Sequence, residues 1–259
     1  MTTETGRGTI DWHGWLARWD AQQTGYLPER EARFTAMLDV LEVLLPERFV
    51  VLDLACGPGS ISQRVLSRFP GATSIAVDID PVLLTLGRNA LGTFDGRLRW
   101  VEADLRDANW MDALEGAQVD AVLSTTALHW LAGPDLVRLY KDLGALLRPG
   151  GLFLNGDHMR FGPHLPTFNT LASAVKERIA RESFGQGGVE DWEAWWKALA
   201  AEPGMAELLA ERARRFPEAN HDDTAPIFDV HVAALRDAGF REVGVVWQRL
   251  DNRVLLAVR

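Results

Sequence analysis

Residues 50–60, VVLDLACGPGS, place a short apolar segment directly before a proline that lies between two glycines. Valine and leucine around a single aspartate are typical of a strand that is buried on both faces of a sheet. Gly57 and Gly59 permit positive φ angles and lack a Cβ atom, so a ligand could lie against the main chain there. A tight turn without a ligand is the alternative for such a glycine pair. The stretch therefore predicts a central strand followed by a bare turn at a sheet edge.

From residue 49 onward, short apolar segments alternate with helix-like segments. This alternation is typical of a parallel sheet covered by helices on both faces, with right-handed crossovers between its strands. The predicted strands are 50–54, 74–77, 98–101, 119–123 and 151–155, and the predicted helices between them are 60–69, 81–91 and 134–147.

The C-terminal part of the sequence departs from this alternation. Asp229 is predicted to cap a helix over 229–238 that closes at Gly239. Two apolar segments, 242–248 and 253–258, flank a short polar break and predict an antiparallel hairpin. The predicted fold class is α/β, a doubly wound, mostly parallel seven-stranded sheet with an antiparallel C-terminal hairpin strand, a helical N-terminal leader and a helical cap insert.

The domain organisation follows from these elements. Residues 1–45 are predicted to form a helical leader or lid, 46–158 a Rossmann-like cofactor-binding core, 159–226 a helical cap insert, and 227–259 the helix and hairpin that complete the core sheet. Ligands of open α/β sheets bind beyond the carboxyl ends of the strands. Because the insert leaves the core at such an end, it is expected to cover a pocket.

The composition limits which classes of binding partner and which cellular compartment we expect. The chain has 259 residues and a formal net charge of −9, which disfavours nucleic acid as a partner. No segment offers the roughly 18 uninterrupted apolar residues of a membrane helix, and the first ten residues lack a signal core, so we expect a cytoplasmic protein without membrane association. The single cysteine excludes an intrachain disulfide, and the histidine spacing predicts no metal site. The oligomeric state stays open.

Acidic residues follow the next two strands. Asp78 ends the second predicted strand, nineteen positions after Gly59, where a carboxylate can accept both hydroxyls of a ribose. Asp104 follows the third strand in VEADL. A nicotinamide or flavin dinucleotide could use the turn and Asp78, but its fingerprint has a third glycine where this chain has Ser62. A dehydrogenase is therefore disfavoured.

These motifs resemble those of the class I S-adenosylmethionine-dependent methyltransferases of the small-molecule type. The segment DLACGPG at 53–59 is similar to the family's first motif, with Ala55 in place of the commoner glycine, and AVDIDP, EADL, VDAVLSTTALHWL and LLRPGG are similar to the later ones. The resemblance covers about 49–157 and the final hairpin. It implies methyl transfer from S-adenosylmethionine, with release of S-adenosylhomocysteine, to an oxygen or nitrogen atom of a small organic acceptor.

The resemblance also implies roles for individual residues. The glycine turn would back the methionine part of the cofactor, Asp78 would hold the ribose, and Asp104 with Leu105 would contact the adenine. Asp53 would orient the turn or the cofactor's amino group, or simply cap the turn. In the leader, an aromatic residue and an arginine would close over the cofactor, with Arg30 as the rival for pairing with its carboxylate. The cofactor-binding residues so implied are Tyr26, Arg33, Asp53, Ala55, Gly57, Gly59, Asp78, Ile79, Asp104, Leu105 and Ser124.

Catalysis of methyl transfer requires mainly alignment and exclusion of water, and a base where the acceptor is a hydroxyl or a protonated nitrogen. The candidates are His129 after the fourth strand and Asp157 and His158 after the fifth, with a capping or packing role as the alternative for His129. Tryptophans concentrated in the leader and cap favour an apolar or aromatic acceptor, or else join the two helical segments to the sheet. A methyltransferase of RNA or protein and a non-catalytic S-adenosylmethionine-binding regulator are the alternative functions.

Overall fold

The computed structural model describes residues 10–186, 188–216 and 226–259. Their strands form one seven-stranded sheet in the order β3-β2-β1-β4-β5-β7-β6. Strands β1 to β5 are parallel, whereas β7 is antiparallel to both β5 and β6. The predicted fold class is confirmed. The strands are β1 Val50–Leu54, β2 Thr73–Asp78, β3 Leu98–Glu102, β4 Ala121–Thr125, β5 Leu152–His158, β6 Glu242–Arg249 and β7 Asn252–Val258.

The helices belong to the leader, the core and the cap. The leader contains α1 Trp12–Tyr26 and α2 Arg30–Leu44; the core contains α3 Ser60–Arg68, α4 Pro81–Leu91, α5 Gly133–Leu146 and α9 Phe228–Asp237; and the cap contains α6 Pro166–Ala180, α7 Trp192–Ala200 and α8 Ala206–Arg215. None of the described helices is long and apolar enough to cross a membrane.

Strand β1 is buried on both faces, as the opening stretch predicts. Leu52 and Leu54 pack in the core on the face covered by α5 and α9, and Val51 packs in the core on the face covered by α2, α3 and α4. All three side chains are fully buried. The carboxyl end of this central strand therefore holds the glycine turn at a fixed position of the sheet edge.

Several boundaries differ from the sequence predictions, by two residues at each end of β4 and by one residue at most other ends, and two of the differences have a clear cause. Strand β5 was predicted to end at residue 155, but antiparallel pairing of Asp157 with Arg253 and of His158 with Asn252 extends it through His158. The last helix begins at Phe228, because Ile227 is in extended backbone and forms a bridge with Arg160. Asp229 therefore lies in the first turn and does not cap the helix.

The leader and the cap pack together over α4. Trp15 and Trp19 of α1, with Trp195 of α7, belong to one buried cluster that also contains Val82 and Leu83 of α4. The ring of Trp195 lies 5.6 Å from that of Trp15 and 5.1 Å from that of Trp19, both edge-on. Of the two roles considered for the tryptophans, this packing favours attachment of the leader and cap to the core.

Candidate active site

The glycine turn has the backbone that its sequence predicts. Ala55, Gly57 and Gly59 have φ angles of 51°, 54° and 84°. A Cβ atom at Gly57 would lie 3.7 Å from Leu83 and 3.9 Å from Trp19, which are ordinary contacts, whereas one at Gly59 would lie 2.6 Å from the Trp100 ring. The protein itself, and not only a ligand, therefore requires glycine at position 59.

Asp78 joins the glycine turn to β2. Its Oδ2 accepts the Gly57 N–H at 2.7 Å, and its Oδ1 accepts the Asp80 N–H at 2.7 Å. Each carboxylate oxygen keeps a second lone pair for a further donor. Burial raises the pKa of Asp78 to about 6. The arrangement places a buried hydrogen-bond acceptor beside the bare turn.

Asp53 is directed toward α3. Its Oδ2 accepts both the hydroxyl of Ser62 at 2.6 Å and the Ser62 N–H at 3.2 Å, while the Ser62 hydroxyl lies 2.8 Å from that of Ser74. Burial raises the pKa of Asp53 to about 7. These contacts fix the first turn of α3, which agrees with a role in orienting the loop.

Asp104 lies on the same sheet edge, two residues beyond the end of β3. Its Oδ1 accepts Nε of Arg106 at 2.9 Å and its Oδ2 accepts Nη2 of Arg106 at 2.9 Å. The pKa of Asp104 is lowered. Partial burial alone would raise it, but the hydrogen bonds from Arg106 outweigh that effect. Because β1, β2 and β3 are neighbours in the sheet, the glycine turn, Asp78 and Asp104 share one edge.

The other residues near this edge that were predicted to bind the cofactor are Leu105, Ser124 and Ile79. Leu105 is buried, and its carbonyl accepts Nη2 of Arg138 at 2.9 Å. The Ser124 hydroxyl donates to the Leu54 carbonyl at 2.9 Å and so ties β4 to the end of β1. Ile79 follows Asp78 directly and is half-buried.

His129 and Asp157 form a hydrogen-bonded pair at the ends of β4 and β5. His129 Nδ1 lies 2.7 Å from Asp157 Oδ1, and the His129 N–H donates to Asp157 Oδ2 at 3.0 Å. Burial would raise the pKa of Asp157, but His129, His158 and Arg33 lower it well below its usual range. The ionised Asp157 favours the His129 tautomer that carries hydrogen on Nδ1, and in that tautomer Nε2 has the lone pair.

The structure separates His158 from this pair. The His158 N–H donates to Asp157 Oδ1 at 2.8 Å, but its ring Nδ1 lies 3.5 Å from Asp251. The His158 side chain lines a shallow cleft between α6 and the β6–β7 turn, together with Tyr26. Of the three catalytic candidates, only His129 and Asp157 are joined through their side chains.

The two leader arginines differ in their partners. Arg30 is paired with Asp20 at 2.7 Å. Arg33 is fully buried and donates to the Asn252 Oδ1 at 3.0 Å and the Thr126 Oγ1 at 2.8 Å. Its Nε has no hydrogen-bond partner among the described residues. Of the two, Arg33 is therefore the one without a carboxylate partner in the part of the chain that the structure describes.

Tyr26 contacts the cap. Its hydroxyl accepts the Trp192 N–H at 3.0 Å, and its ring centroid lies 4.4 Å from that of Phe184. The tyrosine thus joins the end of α1 to the start of α7.

Sequence reasoning missed residues that are distant in the sequence but contact the sheet edge that carries the glycine turn and Asp78. Arg212 and Arg215 of α8 reach Asp80 and the Ile79 carbonyl, and the Trp100 ring supports Gly59. No local pattern marks them, since each depends on packing between separate elements. Within the described ranges, no group of three or more histidine, cysteine or acidic residues could hold a metal ion.

Comparison with known proteins gives one family match in the core and partial matches to curated proteins. Residues 51–151 match the family model described as "Methyltransferase domain". A trans-aconitate 2-methyltransferase of Azoarcus sp. is 36% identical over 138 residues, which cover 53% of this chain and 49% of that protein. One of Escherichia coli is 33% identical over 102 residues, which cover 39% of this chain and 36% of that protein. The chain thus spans half or less of the length of these curated relatives.

Solved structures resemble the whole described fold at low sequence identity. An O-methyltransferase family protein from Burkholderia thailandensis has a TM-score of 0.58 at 21% identity, covering 95% of this chain and 60% of that one. A putative O-methyltransferase from Nostoc punctiforme has a TM-score of 0.60 at 15% identity, covering 100% of this chain and 64% of that one. At these identities the likeness concerns the fold alone.

Proposed function

We propose that this chain, which belongs to the class I S-adenosylmethionine-dependent methyltransferases, transfers the cofactor's methyl group to an oxygen or nitrogen atom of a small organic acceptor. The observation that carries the proposal is the 2.7 Å pairing of His129 with Asp157 on the sheet edge where the Gly57 N–H meets Asp78. A proton acceptor and a nucleoside-binding carboxylate thus stand on one edge.

Different described residues are suited to bind different parts of the cofactor. Asp78 offers lone pairs to the ribose hydroxyls, and the buried, carboxylate-free Arg33 offers its guanidinium to the amino-acid carboxylate. Asp104 lies on the adenine side of the same edge. The bound cofactor supplies a methyl group already activated by its sulfonium.

The His129–Asp157 pair supplies the proton chemistry of the proposed reaction. With Asp157 on the Nδ1 side, Nε2 of His129 is the atom that accepts a proton from a hydroxyl or an ammonium acceptor. Hydrogen bonds to both the ring and the backbone N–H hold His129 in one orientation. Leader and cap helices that pack over the core favour exclusion of water from such a site.

A carboxylic acid acceptor is the second candidate. It is favoured by the curated relatives, which are named trans-aconitate 2-methyltransferases. A carboxylate is already a deprotonated nucleophile, so its methylation requires no general base. The two candidates therefore differ in how far the rate depends on His129.

Methyl transfer to a panel of phenols, amines and carboxylic acids, followed with labelled S-adenosylmethionine, tests the proposal. We expect turnover of a phenol or amine that falls about 100-fold or more in His129→Gln. Turnover of a carboxylic acid at an equal rate in both proteins would favour the second candidate. Binding of S-adenosylhomocysteine without turnover of any acceptor would instead indicate the non-catalytic regulator, and absence of binding would contradict the proposal.

A further inference from the structure

The cap helix α8 is attached to the core mainly by arginines. None of its residues is buried, and its apolar contacts with the tryptophan cluster come from the half-buried Leu208 and Leu209 and from the buried Met205 directly before its first turn. Arg212 and Arg215, by contrast, are about three quarters buried and reach the core. The position of the C-terminal half of α8 therefore depends on where these two side chains bind.

Arg215 bridges the ends of two strands. Its Nη1 donates to the Ile79 carbonyl at 2.8 Å and lies 2.7 Å from the Glu102 carboxylate. Ile79 follows Asp78, and Glu102 is the last residue of β3 and the register partner of Asp78. The guanidinium thus spans the ends of β2 and β3, the strands that carry the acids expected for the ribose and the adenine.

Arg212 acts on the turn between β2 and α4. Its Nε donates to Asp80 Oδ2 at 2.6 Å, and its guanidinium lies 3.9 Å from the centre of the Trp196 ring. The other oxygen of Asp80 caps α4 by accepting the Val82 N–H, and the Asp80 N–H donates to Asp78. Arg212 therefore fixes the residue whose backbone orients the Asp78 carboxylate.

From these contacts we infer that Arg212 and Arg215 are positioning residues for the adenosine part of the cofactor, which makes the cap insert part of the cofactor site. The inference rests on the proposed function. Two charge-assisted hydrogen bonds hold the β2–α4 turn, and one ion pair sets its distance from the end of β3. Loss of either arginine frees Asp78 to adopt orientations that do not bind a ribose, and this lowers cofactor affinity without removal of any group that touches the cofactor.

The same helix offers a matched control. Arg214 is exposed and pairs with Glu211 within α8. Arg214→Met removes the same charge and length from the same helix as Arg212→Met and Arg215→Met. A general effect of net charge or of helix content would appear in all three variants, whereas a positioning effect appears in two.

Isothermal titration of the full chain with S-adenosylhomocysteine and with 5′-methylthioadenosine, which lacks the amino-acid part, tests the inference. We expect Arg212→Met and Arg215→Met to raise the Kd of both ligands about 10-fold, and Arg214→Met to change it less than about 2-fold. Arg215→Lys keeps a charge for Glu102 but loses the planar fork, so we expect partial recovery.

Glu102→Gln weakens the Arg215 bridge from the core side and leaves both arginines in place. It therefore tests the inference even if an arginine variant fails to fold. We expect it to raise both Kd values in the same direction at an unchanged melting temperature. Affinities within about 2-fold of wild type in Arg212→Met and Arg215→Met would overturn the inference, as would a loss confined to S-adenosylhomocysteine. A wild-type chain that binds neither ligand would overturn the proposed function, and this inference with it.

Discussion

Arg33→Met is the substitution for which the structure predicts separate effects on stability and on cofactor affinity. The guanidinium is fully buried and donates only to the neutral oxygens of Thr126 and Asn252. No carboxylate of a described residue lies within salt-bridge distance of it. Burial lowers the pKa of Arg33 to about 10, equivalent to roughly 3 kcal/mol against the charged form.

The expected magnitudes follow from this imbalance. Methionine keeps much of the length and removes the buried charge, which relieves the roughly 3 kcal/mol, but it leaves the two oxygen acceptors unpaired at a cost of about 1 to 3 kcal/mol each. The change in the free energy of unfolding without ligand should therefore lie between a gain of about 1 kcal/mol and a loss of about 3 kcal/mol. A bound carboxylate would lose its charged donor, at a cost of about 3 kcal/mol, or about 100-fold in Kd.

Urea denaturation of the ligand-free chain and calorimetry with two ligands separate these effects. S-Adenosylhomocysteine should bind Arg33→Met about 100-fold more weakly, whereas 5′-methylthioadenosine, which has no carboxylate, should bind with unchanged affinity. Arg30→Met is the control, because Arg30 is already paired with Asp20. Equal losses for both ligands, or an unchanged affinity for S-adenosylhomocysteine, would refute the assignment of Arg33 to the carboxylate.

Three further substitutions or conditions test other parts of the site. Asp157→Asn should lower the initial rate with a hydroxyl or amine acceptor about 100-fold or more, because it disturbs the His129 tautomer; an unchanged rate would exclude the pair from proton transfer. Protonation of Asp78, whose pKa is raised to about 6, should weaken binding, so the Kd of S-adenosylhomocysteine should fall about 10-fold from pH 5 to pH 7 in calorimetry and stay flat in Asp78→Asn. Gly87→Ala would place a Cβ 2.4 Å from Trp100 and 2.8 Å from the Pro58 carbonyl, and should cost about 1 to 3 kcal/mol in urea denaturation, whereas Gly133→Ala, which meets open space, should not destabilise the chain.

Local chemistry made much of the fold predictable from the sequence. Helix α4 has its predicted bounds because Asp80 caps it through the N–H groups of Val82 and Leu83, and Pro81 occupies its first turn. The glycine turn and Asp78 come together because their strands are neighbours, as a doubly wound sheet requires.

The features that the sequence did not predict depend on contacts across the chain. The extension of β5 through His158 requires a partner strand about a hundred residues later, which no local pattern reveals. Arg212 and Arg215 look like ordinary charges of an exposed helix until α8 is placed on the ends of β2 and β3. Gly59 was attributed to a ligand or to a tight turn, whereas its missing Cβ also makes room for Trp100.

The association of S-adenosylhomocysteine with the wild-type chain and with Asp78→Ala, measured by calorimetry at pH 7.5, tests the central claim most directly. If the Asp78 carboxylate beside Gly57 holds the ribose, the wild-type chain binds and the variant loses about 100-fold in affinity, the worth of two hydrogen bonds to a charged acceptor. Equal affinities in the two proteins would contradict the account.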